Sequence, residues 1–482
     1  MNLTKTTSFA HQLEVIEESK NREYFGLFLE MGTGKTHISI ATAVHLWREG
    51  KINGLIVLAP NGVHSNWPER EFPVHLPNDA MSWEQVTWNS GMGKQRKDRW
   101  SYLAERSDEN MICLFANIES VRGKEAYESM LKFVKRRNVL IIVDESTVIK
   151  NPKAKQTKQC LALASLSRYR RILTGTPITQ SPLDLWSQCR FLSREALPYP
   201  SYTAFKAQFA IEELVTMLSR GITFRKIVGY RNQDLLADQI LPFSRRLLKK
   251  DCLDLPSKLY EVREVDLTPE QKRLYKELST TQVAMLDPGI ATITEVITLM
   301  LRLHQIILGY LPDDEGNMTN IMHNRIGVLK DIIDETQGKV IVFVRFVEDV
   351  NQIRGLLEAS NIQHVTYYGA TSAKSREIAI DEFQNDPACK VFIGTSAAAR
   401  GLTLTAANTV VYYSQGYSLE TRLQSEDRAH RIGQKNNVTY IDLLSKGTVE
   451  AKIVSALKQK KNLAASIVDR EALEKLLLLD GL

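Results

Sequence analysis

A glycine-rich segment, Glu30–Thr36, stands between the apolar run Tyr24–Leu29 and the helical run His37–Arg48. Glycines at this junction let the backbone present N–H groups at a helix N-terminus, where the dipole favours phosphate. Lys35 would reach the β- and γ-phosphates of a nucleotide, and the Thr36 hydroxyl would hold Mg²⁺. The general pattern G-x-x-x-x-G-K-[ST] fails at one residue, because Leu29 stands in place of its first glycine. We predict a phosphate loop rather than a turn without a ligand, formed by Met31, Gly32, Thr33, Gly34, Lys35 and Thr36.

Two adjacent carboxylates, Asp144 and Glu145, follow the apolar run Val139–Val143. Open α/β sheets place ligands at the carboxyl ends of their strands. Asp144 would bind Mg²⁺ directly or through its hydration shell, and Glu145 would polarise an attacking water. A strand that ends in Asp-Glu is common by chance, but together with an upstream phosphate loop it predicts hydrolysis of a nucleotide.

Two arginines, Arg428 and Arg431, lie three residues apart in the segment Gln424–Gln434. This spacing predicts that both project from one face of a helix. A guanidinium that neutralises the charge on a departing γ-phosphoryl group contributes about 10³–10⁵ in rate. The alternative is a solvated helix held by salt bridges.

Short apolar runs alternate with amphipathic helical stretches, which predicts parallel α/β sheets in two similar lobes. Between residues 181 and 324 the regularly spaced apolar runs are absent, and we predict helical or irregular structure. Within this range we predict Thr268 as the cap of a helix whose first turn contains Pro269. A C-terminal helical segment is predicted from Val449. The predicted strands are Tyr24–Leu29, Leu55–Ala59, Met111–Phe115, Val139–Val143, Arg171–Leu173, Val340–Val344, His364–Tyr368, Val391–Ile393, Thr409–Tyr413 and Val438–Ile441.

The composition is that of a globular protein. The 482 residues include 62 Lys+Arg and 56 Asp+Glu, for a net charge of +6, with 43% apolar residues. This excludes collagen-like and disordered classes and favours two or three domains. The charge permits an anionic polymer as partner without requiring one. The apolar runs are too short for a membrane span, and no signal-peptide core follows Met1, so we expect a cytoplasmic protein without membrane contact.

Five scattered cysteines without a C-x-x-C pair predict reduced thiols. Nine histidines without an H-E-x-x-H or H-x-H pattern lead us to expect no structural or protein-ligated transition metal.

The motifs along the chain resemble those of superfamily-two helicase motors and occur in the same order. They are Leu29–Thr36, Asp144–Ser146, Leu173–Pro177, Gly401–Asn408 and Gln424–Gln434. Two further blocks, Arg245–Pro256 with Leu267–Gln271 and Glu426–Gln434, are similar to the Swi/Snf (chromatin-remodeller) type of translocase. The compact chain is similar to helicase-like proteins of phages and prophages, which would place it in the cytoplasm of a host cell.

The resemblance implies an α/β fold with two tandem RecA-like lobes and helical insertions between the third and fourth motifs. Lobe 1 would comprise residues 1–250, with a helical protrusion over about 181–245. Lobe 2 would comprise residues 251–482, with a protrusion over about 267–324 and C-terminal helices from 449. ATP would bind between the lobes, with Lys35, Thr36 and Asp144 on one side and Arg428 and Arg431 on the other.

The resemblance also implies further site residues. Gln12 would read the adenine edge, and Gly401 would lie near the nucleotide from the second lobe. For each residue at a DNA-backbone position, a packing or capping role is an equal alternative. These positions are Asn66, Trp67, Asn117, Thr174, Thr176, Arg345, Arg376, Thr395 and Arg400.

The function implied is that of a DNA-dependent ATPase that uses ATP and Mg²⁺ to translocate along DNA, mainly double-stranded, with branched or single-stranded DNA as further substrates. Three alternatives stay open. The motor could separate strands or migrate branches at forks, it could track RNA, or the chain could be an ATP-binding switch or scaffold without turnover. Protein partners are not predicted.

Overall fold

The computed structural model describes residues 2–61, 63–89, 91–106, 108–217, 222–285, 293–313, 315, 317–399 and 402–468. Arg400 and Gly401, which the sequence assigns to DNA and nucleotide contacts, lie outside the described residues. The chain forms two compact units. Unit 1 is built around Met1–Ile211 and Gly229–Asp254, and unit 2 around Glu212–Val228 and Leu255–Gln459.

Unit 1 contains a parallel sheet of seven strands. The first nine strands of the chain are β1 (Tyr24–Leu29), β2 (Gly54–Ala59), β3 (Glu84–Trp88), β4 (Ile112–Asn117), β5 (Val139–Asp144), β6 (Tyr169–Leu173), β7 (Ala210–Met217), β8 (Ile222–Tyr230) and β9 (Ser244–Leu247). Seven of them pair in the order β3-β4-β2-β5-β6-β1-β9, and every pairing is parallel. The central strands β2, β4 and β5 are buried throughout, because a parallel sheet is covered on both faces.

Helices connect these strands. They are α1 (Ala10–Ser19), α2 (Lys35–Arg48), α3 (Phe72–His75), α4 (Lys94–Glu105), α5 (Lys124–Arg136), α6 (Lys155–Ala164), α7 (Leu185–Leu192), α8 (Tyr202–Phe209), α9 (Gln233–Ile240) and α10 (Lys249–Cys252). Ile38, Ala41 and Val44 of α2 pack with Leu27 and Val57 of the sheet in one buried apolar cluster.

The helical protrusion expected over 181–245 is only partly helical. Helices α7, α8 and α9 lie in this range, but β7 and β8 form a separate two-stranded sheet there, and β9 adds an edge strand to the main sheet. The strands β7 and β8 carry exposed apolar residues, among them Leu214 and Val228. They lack the alternation of a half-buried strand, so the pattern gave no strand signal.

Unit 2 contains a second parallel sheet, of six strands. The strands are β10 (Lys258–Glu264), β11 (Tyr310–Pro312), β12 (Met318–Asn320), β13 (Lys339–Phe343), β14 (His364–Tyr367), β15 (Val391–Gly394), β16 (Ala407–Tyr412) and β17 (Val438–Leu444). Six pair in the order β10-β17-β16-β13-β15-β14, all parallel, and β11 and β12 form an antiparallel hairpin. The prediction of an α/β fold with two parallel-sheet lobes is confirmed.

The helices of unit 2 include the predicted C-terminal one. They are α11 (Pro269–Met285), α12 (Ile293–Ile307), α13 (Arg325–Glu335), α14 (Val347–Ala359), α15 (Ala373–Asn385), α16 (Leu419–Ala429) and α17 (Val449–Val468). Thr268 caps α11 as predicted: its hydroxyl accepts from the Gln271 N–H at 3.3 Å, and its own N–H donates to the Gln271 side chain at 3.0 Å. These reciprocal bonds are a capping box.

A buried ion cluster joins three helices of unit 2. Glu450 of α17 accepts from Arg325 of α13 at 2.5 Å and lies 3.2 Å from His304 of α12. All three side chains are fully buried. Because a buried charge without a partner is costly, this cluster fastens α12 and α17 to α13.

Candidate functional site

The glycine-rich segment forms a loop between β1 and α2. Gly32 has φ +80° and Gly34 has φ +97°, in the left-handed region that favours glycine. Gly34 precedes the first residue of α2, so the loop ends at a helix N-terminus. The buried Thr33 hydroxyl donates to the carbonyl of Glu30 at 2.7 Å and closes the loop on itself. The structure therefore has the strand–loop–helix geometry of a phosphate-binding site.

Lys35 lies between this loop and the end of β5. Its Nζ donates to the carbonyls of Leu29 at 3.0 Å and Glu30 at 3.3 Å. Its positive charge also favours the ionised form of Asp144 and so lowers the pKa of that carboxyl, against the larger effect of burial, which raises it. Lys35 and Asp144 thus form one electrostatic site, with the half-buried Thr36 at the first turn of α2.

Helix α1 is held against the loop by Gln12. A Cβ atom at Gly34 would lie 2.1 Å from Nε2 of Gln12, so a larger residue at this positive φ would displace the Gln12 side chain and strain the backbone. The Gln12 amide donates to the carbonyl of Thr33 at 3.2 Å and accepts from the Phe9 N–H at 3.0 Å, and the His11 ring lies 2.9 Å from the Thr33 carbonyl. Gln12 contacts the loop, and its recognition of adenine stays a prediction.

Two buried carboxylates occupy the carboxyl end of β5. Asp144 is 7% exposed and Glu145 8%. The Asp144 carboxylate accepts from the Glu145 N–H at 2.9 Å and from the Trp67 indole at 3.0 Å. Glu145 has φ +50° and ψ +58°, a left-handed backbone that costs a residue other than glycine about 1–3 kcal/mol. Such strain concentrates at functional sites, which supports a chemical role for Glu145.

Trp67, which the resemblance places on the DNA backbone, lies at the candidate site. Its side chain is 1% exposed and donates to Asp144. Trp67 stabilises the ionised form of Asp144, because a hydrogen bond to a carboxylate favours its charged state. Its contact with DNA stays a prediction.

We expect Trp67→Phe to raise the Mg²⁺ concentration required for half-maximal ATP turnover. The aromatic ring is kept and one hydrogen bond to a charged group is lost, which is worth ~1.5 kcal/mol, or roughly tenfold. A magnesium titration of the ATPase rate measures this. Affinity for duplex DNA, measured by fluorescence anisotropy, should stay unchanged. Weaker DNA binding with an unchanged Mg²⁺ requirement would contradict the role at Asp144 and support a contact of Trp67 with DNA.

The segment after β6 packs against the phosphate loop. A Cβ at Gly175 would lie 3.4 Å from the backbone N of Met31, an ordinary contact. Thr174 is fully buried, and its hydroxyl accepts from the Thr176 N–H at 3.1 Å. This hydroxyl shapes the turn, and Thr176 is the partly exposed residue of the pair. The expected DNA contact of Thr174 stays a prediction.

Several supporting residues escaped the sequence analysis. Arg246 of β9 donates to the carbonyls of Phe28 and Gly175, both at 2.9 Å, and so ties the start of the phosphate loop to the segment after β6. The Lys249 N–H donates to the Glu30 carboxylate at 2.6 Å. The sequence signal for these two residues was the block Arg245–Pro256. That block was used for the family resemblance, but no role was assigned to its individual residues.

A buried glutamine, Gln188, links the segment that contains Asp144 and Glu145 to the turn after β6. The hydroxyl of Ser146, next to Glu145, donates to Gln188 of α7 at 2.7 Å. Gln188 in turn donates to the Pro177 carbonyl at 2.8 Å and is fully buried. Gln188 therefore connects the backbone next to Glu145 with the backbone at Pro177.

The arginines of unit 2 converge although they do not share a helix. Helix α16 ends at Ala429, so Arg428 is helical and Arg431 lies in the turn that follows. The expectation of one helical face is wrong, because His430 leaves the helical conformation with ψ 82°. Arg428 donates to the Leu402 carbonyl at 3.0 Å and Arg431 to the same carbonyl at 3.2 Å. Both guanidiniums therefore lie beside the segment that follows Gly401.

The other predicted DNA contacts are partly exposed or used in local structure. The Asn117 side chain is 6% exposed and accepts from the Ser120 N–H at 2.8 Å, as a cap. Arg376 donates to the Tyr368 and Gly369 carbonyls, and Arg345 stacks on the Tyr417 ring at 4.2 Å. The partly exposed members of the set are Asn66, Thr176, Arg345, Arg376 and Thr395.

A histidine next to the phosphate loop titrates abnormally. His37 follows Thr36 in α2, and its ring nitrogens contact the Ser8 hydroxyl at 2.8 Å and the His75 ring at 3.4 Å. Burial, with a smaller contribution from His75, lowers the pKa of His37 to about 4, and Glu71 opposes this.

We expect His37 to make unit 1 less stable as the pH falls. The folded chain keeps His37 neutral while the unfolded chain binds a proton near the usual pKa of 6.5, so this contribution is complete above pH 6.5 and is lost between about 6.5 and 4. Thermal unfolding of the parent chain and of His37→Gln, at pH 7, 6 and 5, measures it. The melting temperature of the variant should fall less steeply; equal slopes would contradict the assignment.

The described residues contain neither a membrane-spanning helix nor a metal-binding cluster of side chains. No helix in the ranges given above is apolar over enough of its length to cross a membrane. Nor do three or more His, Cys, Asp or Glu residues of the described chain come together as a metal-binding group.

The chain matches two protein-family profiles and is similar to several known proteins. The profile of the SNF2-related domain matches residues 13–308, and that of the helicase conserved C-terminal domain matches residues 324–433. A Mycoplasma pneumoniae protein named an uncharacterized ATP-dependent helicase is 26% identical over 466 residues, which cover 93% of this chain and 40% of that protein. Human TATA-binding protein-associated factor 172 is 28% identical over 389 residues, with 68% and 21% coverage.

This chain thus spans less than half the length of those two relatives. A solved SWI2/SNF2 ATPase core of Sulfolobus solfataricus, in complex with dsDNA, is 26% identical, covers 96% of this chain and 94% of its own, and has a TM-score of 0.43. The SNF2-related profile covers more than half of the sequence, including the phosphate loop, Asp144 and Glu145. The chain belongs to the SNF2-related family.

Proposed function

We propose that this chain is a DNA-dependent ATPase that couples ATP hydrolysis to translocation along DNA, mainly double-stranded, and so remodels DNA or protein–DNA complexes. The observation that carries the proposal is the set of groups at one edge of the unit 1 sheet. The phosphate loop, Lys35 beside Asp144, and the strained Glu145 all meet there. A protein that only binds ATP has no need of groups that act in the transition state.

The roles of these residues follow from their chemistry. The loop Met31–Thr36 would bind the phosphates of ATP, with Lys35 on the β- and γ-phosphates and Gln12 at the adenine. Glu145 would orient and polarise the attacking water. Arg428 and Arg431 would neutralise the charge that develops as the γ-phosphoryl group leaves, with Gly401 near the nucleotide. Hydrolysis would then require both units, because neither carries all of these groups.

Mg²⁺ fits the donor set of this edge. The ion prefers oxygen ligands, and Asp144 offers a carboxylate whose charge burial disfavours unless a cation is near. We propose that Thr36 and Asp144 hold the ion with the phosphates of ATP. When bound, Mg²⁺ would neutralise phosphate charge. Trp67 and the Glu145 N–H would keep Asp144 oriented.

We propose that the chain binds DNA through the phosphates of the DNA backbone. The partly exposed residues Asn66, Thr176, Arg345, Arg376 and Thr395 offer amide, hydroxyl and guanidinium groups, which suit phosphate oxygens and carry no sequence information. Asn117 and Arg400 remain in this proposal as predictions. Binding of this kind has little sequence preference and weakens steeply with salt. A cytoplasmic location is part of the same proposal.

The ATPase rate with different polymers tests the proposed function. We would measure hydrolysis without polymer and with duplex DNA, single-stranded DNA, branched DNA and RNA, each over a range of salt. Duplex DNA should stimulate most, and the stimulation should fall by an order of magnitude or more between about 50 and 200 mM salt. A rate that responds to none of the polymers would favour a switch or scaffold, and stimulation by RNA alone would make RNA the track.

A further inference from the structure

The chain segment just before β10 contacts the turn after α16. The second and longer part of unit 2 begins at Leu255, and Pro256 follows. The carbonyl of Pro256 lies 2.7 Å from Nε2 of His430, which stands between Arg428 and Arg431 in the turn after α16. This segment is thus bonded to the turn from which Arg431 projects.

Strand β10 continues this contact through Glu426, one helical turn before His430. The Glu426 carboxylate is 3% exposed at its side chain. It accepts from the Tyr260 hydroxyl at 2.8 Å and lies 3.3 Å from Lys258 Nζ, with Arg422 on its other oxygen at 3.1 Å. Lys258 also pairs with Asp427 at 3.4 Å. Two side chains of β10 therefore hold consecutive acidic residues of α16.

Strand β10 is held in place by pairing with its neighbouring strand and by one ring stack. It pairs in parallel with β17 over its whole length, with Lys258 opposite Val438 and Tyr260 opposite Tyr440. The rings of Tyr260 and Tyr440 stack at 5.4 Å, and the Tyr440 hydroxyl donates to the Glu426 carbonyl at 2.7 Å. Since a buried carboxylate is tolerated only with its donors in place, α16 is held in one position against this strand.

We propose that Lys258 and Tyr260 are positioning residues for Arg428 and Arg431: strand β10 sets where the two guanidiniums lie. Bonded neighbours link the two places, from β10 to Glu426 and Asp427, and from these to Arg428 in the next position of the same helix. Pro256 bonds the turn beyond it. This inference rests on the proposed function, in which the two arginines act on the γ-phosphate.

Kinetics of two variants test the inference. Lys258→Met removes the ammonium and keeps the length of the side chain, while Tyr260→Phe removes one hydroxyl and keeps the ring stack. We expect each to lower kcat of DNA-stimulated ATP hydrolysis about tenfold, with KM for ATP changed less than about threefold, because misplaced arginines act in the transition state rather than in binding. Lys258→Arg should recover most of the rate.

The chain offers a matched control on the same strand. Lys446 pairs with Glu264 at the far end of β10 at 2.6 Å, and both side chains are mostly exposed. Lys446→Met should leave kcat and KM unchanged, since it removes an ion pair from β10 without touching α16. If Lys258→Met fails to fold, Tyr260→Phe remains the test, and its melting temperature is measured alongside.

The background of Arg431→Ala separates this inference from the proposed function. If Lys258 and Tyr260 act through the arginines, their effects shrink in that background, because residues that work as one unit are not additive. One outcome would overturn the inference and leave the proposed function intact. In it, Arg431→Ala has impaired turnover, while Lys258→Met and Tyr260→Phe keep the parental kcat. Parental turnover in Arg431→Ala would overturn both the role proposed for Arg431 and the inference that rests on it.

Discussion

Glu145→Gln is expected to lower the steady-state rate of ATP hydrolysis about 10³-fold, because general-base catalysis is worth typically 10²–10⁴ and the amide cannot take a proton from water. ATP binding should change little, since Glu145 is proposed to act on the attacking water rather than on the phosphates. The change is nearly isosteric, which spares the strained backbone at φ +50°. Hydrolysis measured by phosphate release, with binding of a fluorescent ATP analogue in parallel, gives both numbers.

A control for this variant uses an exposed carboxylate. Glu128 lies on α5 with a half-exposed side chain and an ion pair to Lys124 at 3.9 Å. Glu128→Gln should hydrolyse ATP at the parental rate. If Glu145→Gln also did so, Glu145 would not be the catalytic base, and the strained backbone at this position would have another cause.

The second large effect concerns the arginine in the turn after α16. Arg431→Ala should lower kcat by about 10²–10³, somewhat below the full range reported for arginine fingers because Arg428 remains. Affinity for ATP should fall much less, since the arginine is expected to act on charge that develops during transfer. The measurement is the ATPase rate at saturating duplex DNA, with ATP binding determined separately.

An exposed arginine gives the matched control. Arg354 of α14 pairs with Glu358 at 3.3 Å and is about half exposed, so Arg354→Ala should have parental kinetics. The melting temperature of Arg431→Ala should match the parent. A proportionate loss of ATP affinity and kcat/KM with kcat unchanged would mean that Arg431 only binds the nucleotide.

The central strands of both sheets and the edge strand β14 could be predicted, whereas the edge strands β3, β9 and β10 could not. Strands β2, β4 and β5 read as continuous apolar runs because helices and loops cover both faces. Strands β3, β9 and β10 lie at sheet edges and contain mixed polar residues, such as Ser244–Leu247, with no pattern of their own. Their place is set by pairing with distant strands, which local sequence does not encode.

The candidate site shows the same division. The phosphate loop and the Asp144–Glu145 pair follow from local spacing and from the strand–loop–helix context, so the sequence sufficed to propose them. The resemblance placed Trp67 and Thr174 on DNA, and tertiary packing, which it did not reveal, buries both side chains. The support of α16 by Lys258 joins residues about 170 positions apart, which no spacing rule could detect.

Displacement of the third strand from a DNA triplex tests the central claim most directly, because it reports movement along duplex DNA without requiring strand separation. We predict that the chain releases the third strand in the presence of ATP and Mg²⁺, that the duplex stays paired, and that Glu145→Gln releases none. Retention of the third strand by a chain that hydrolyses ATP in response to duplex DNA would contradict translocation. Release by Glu145→Gln at the parental rate would contradict its coupling to hydrolysis.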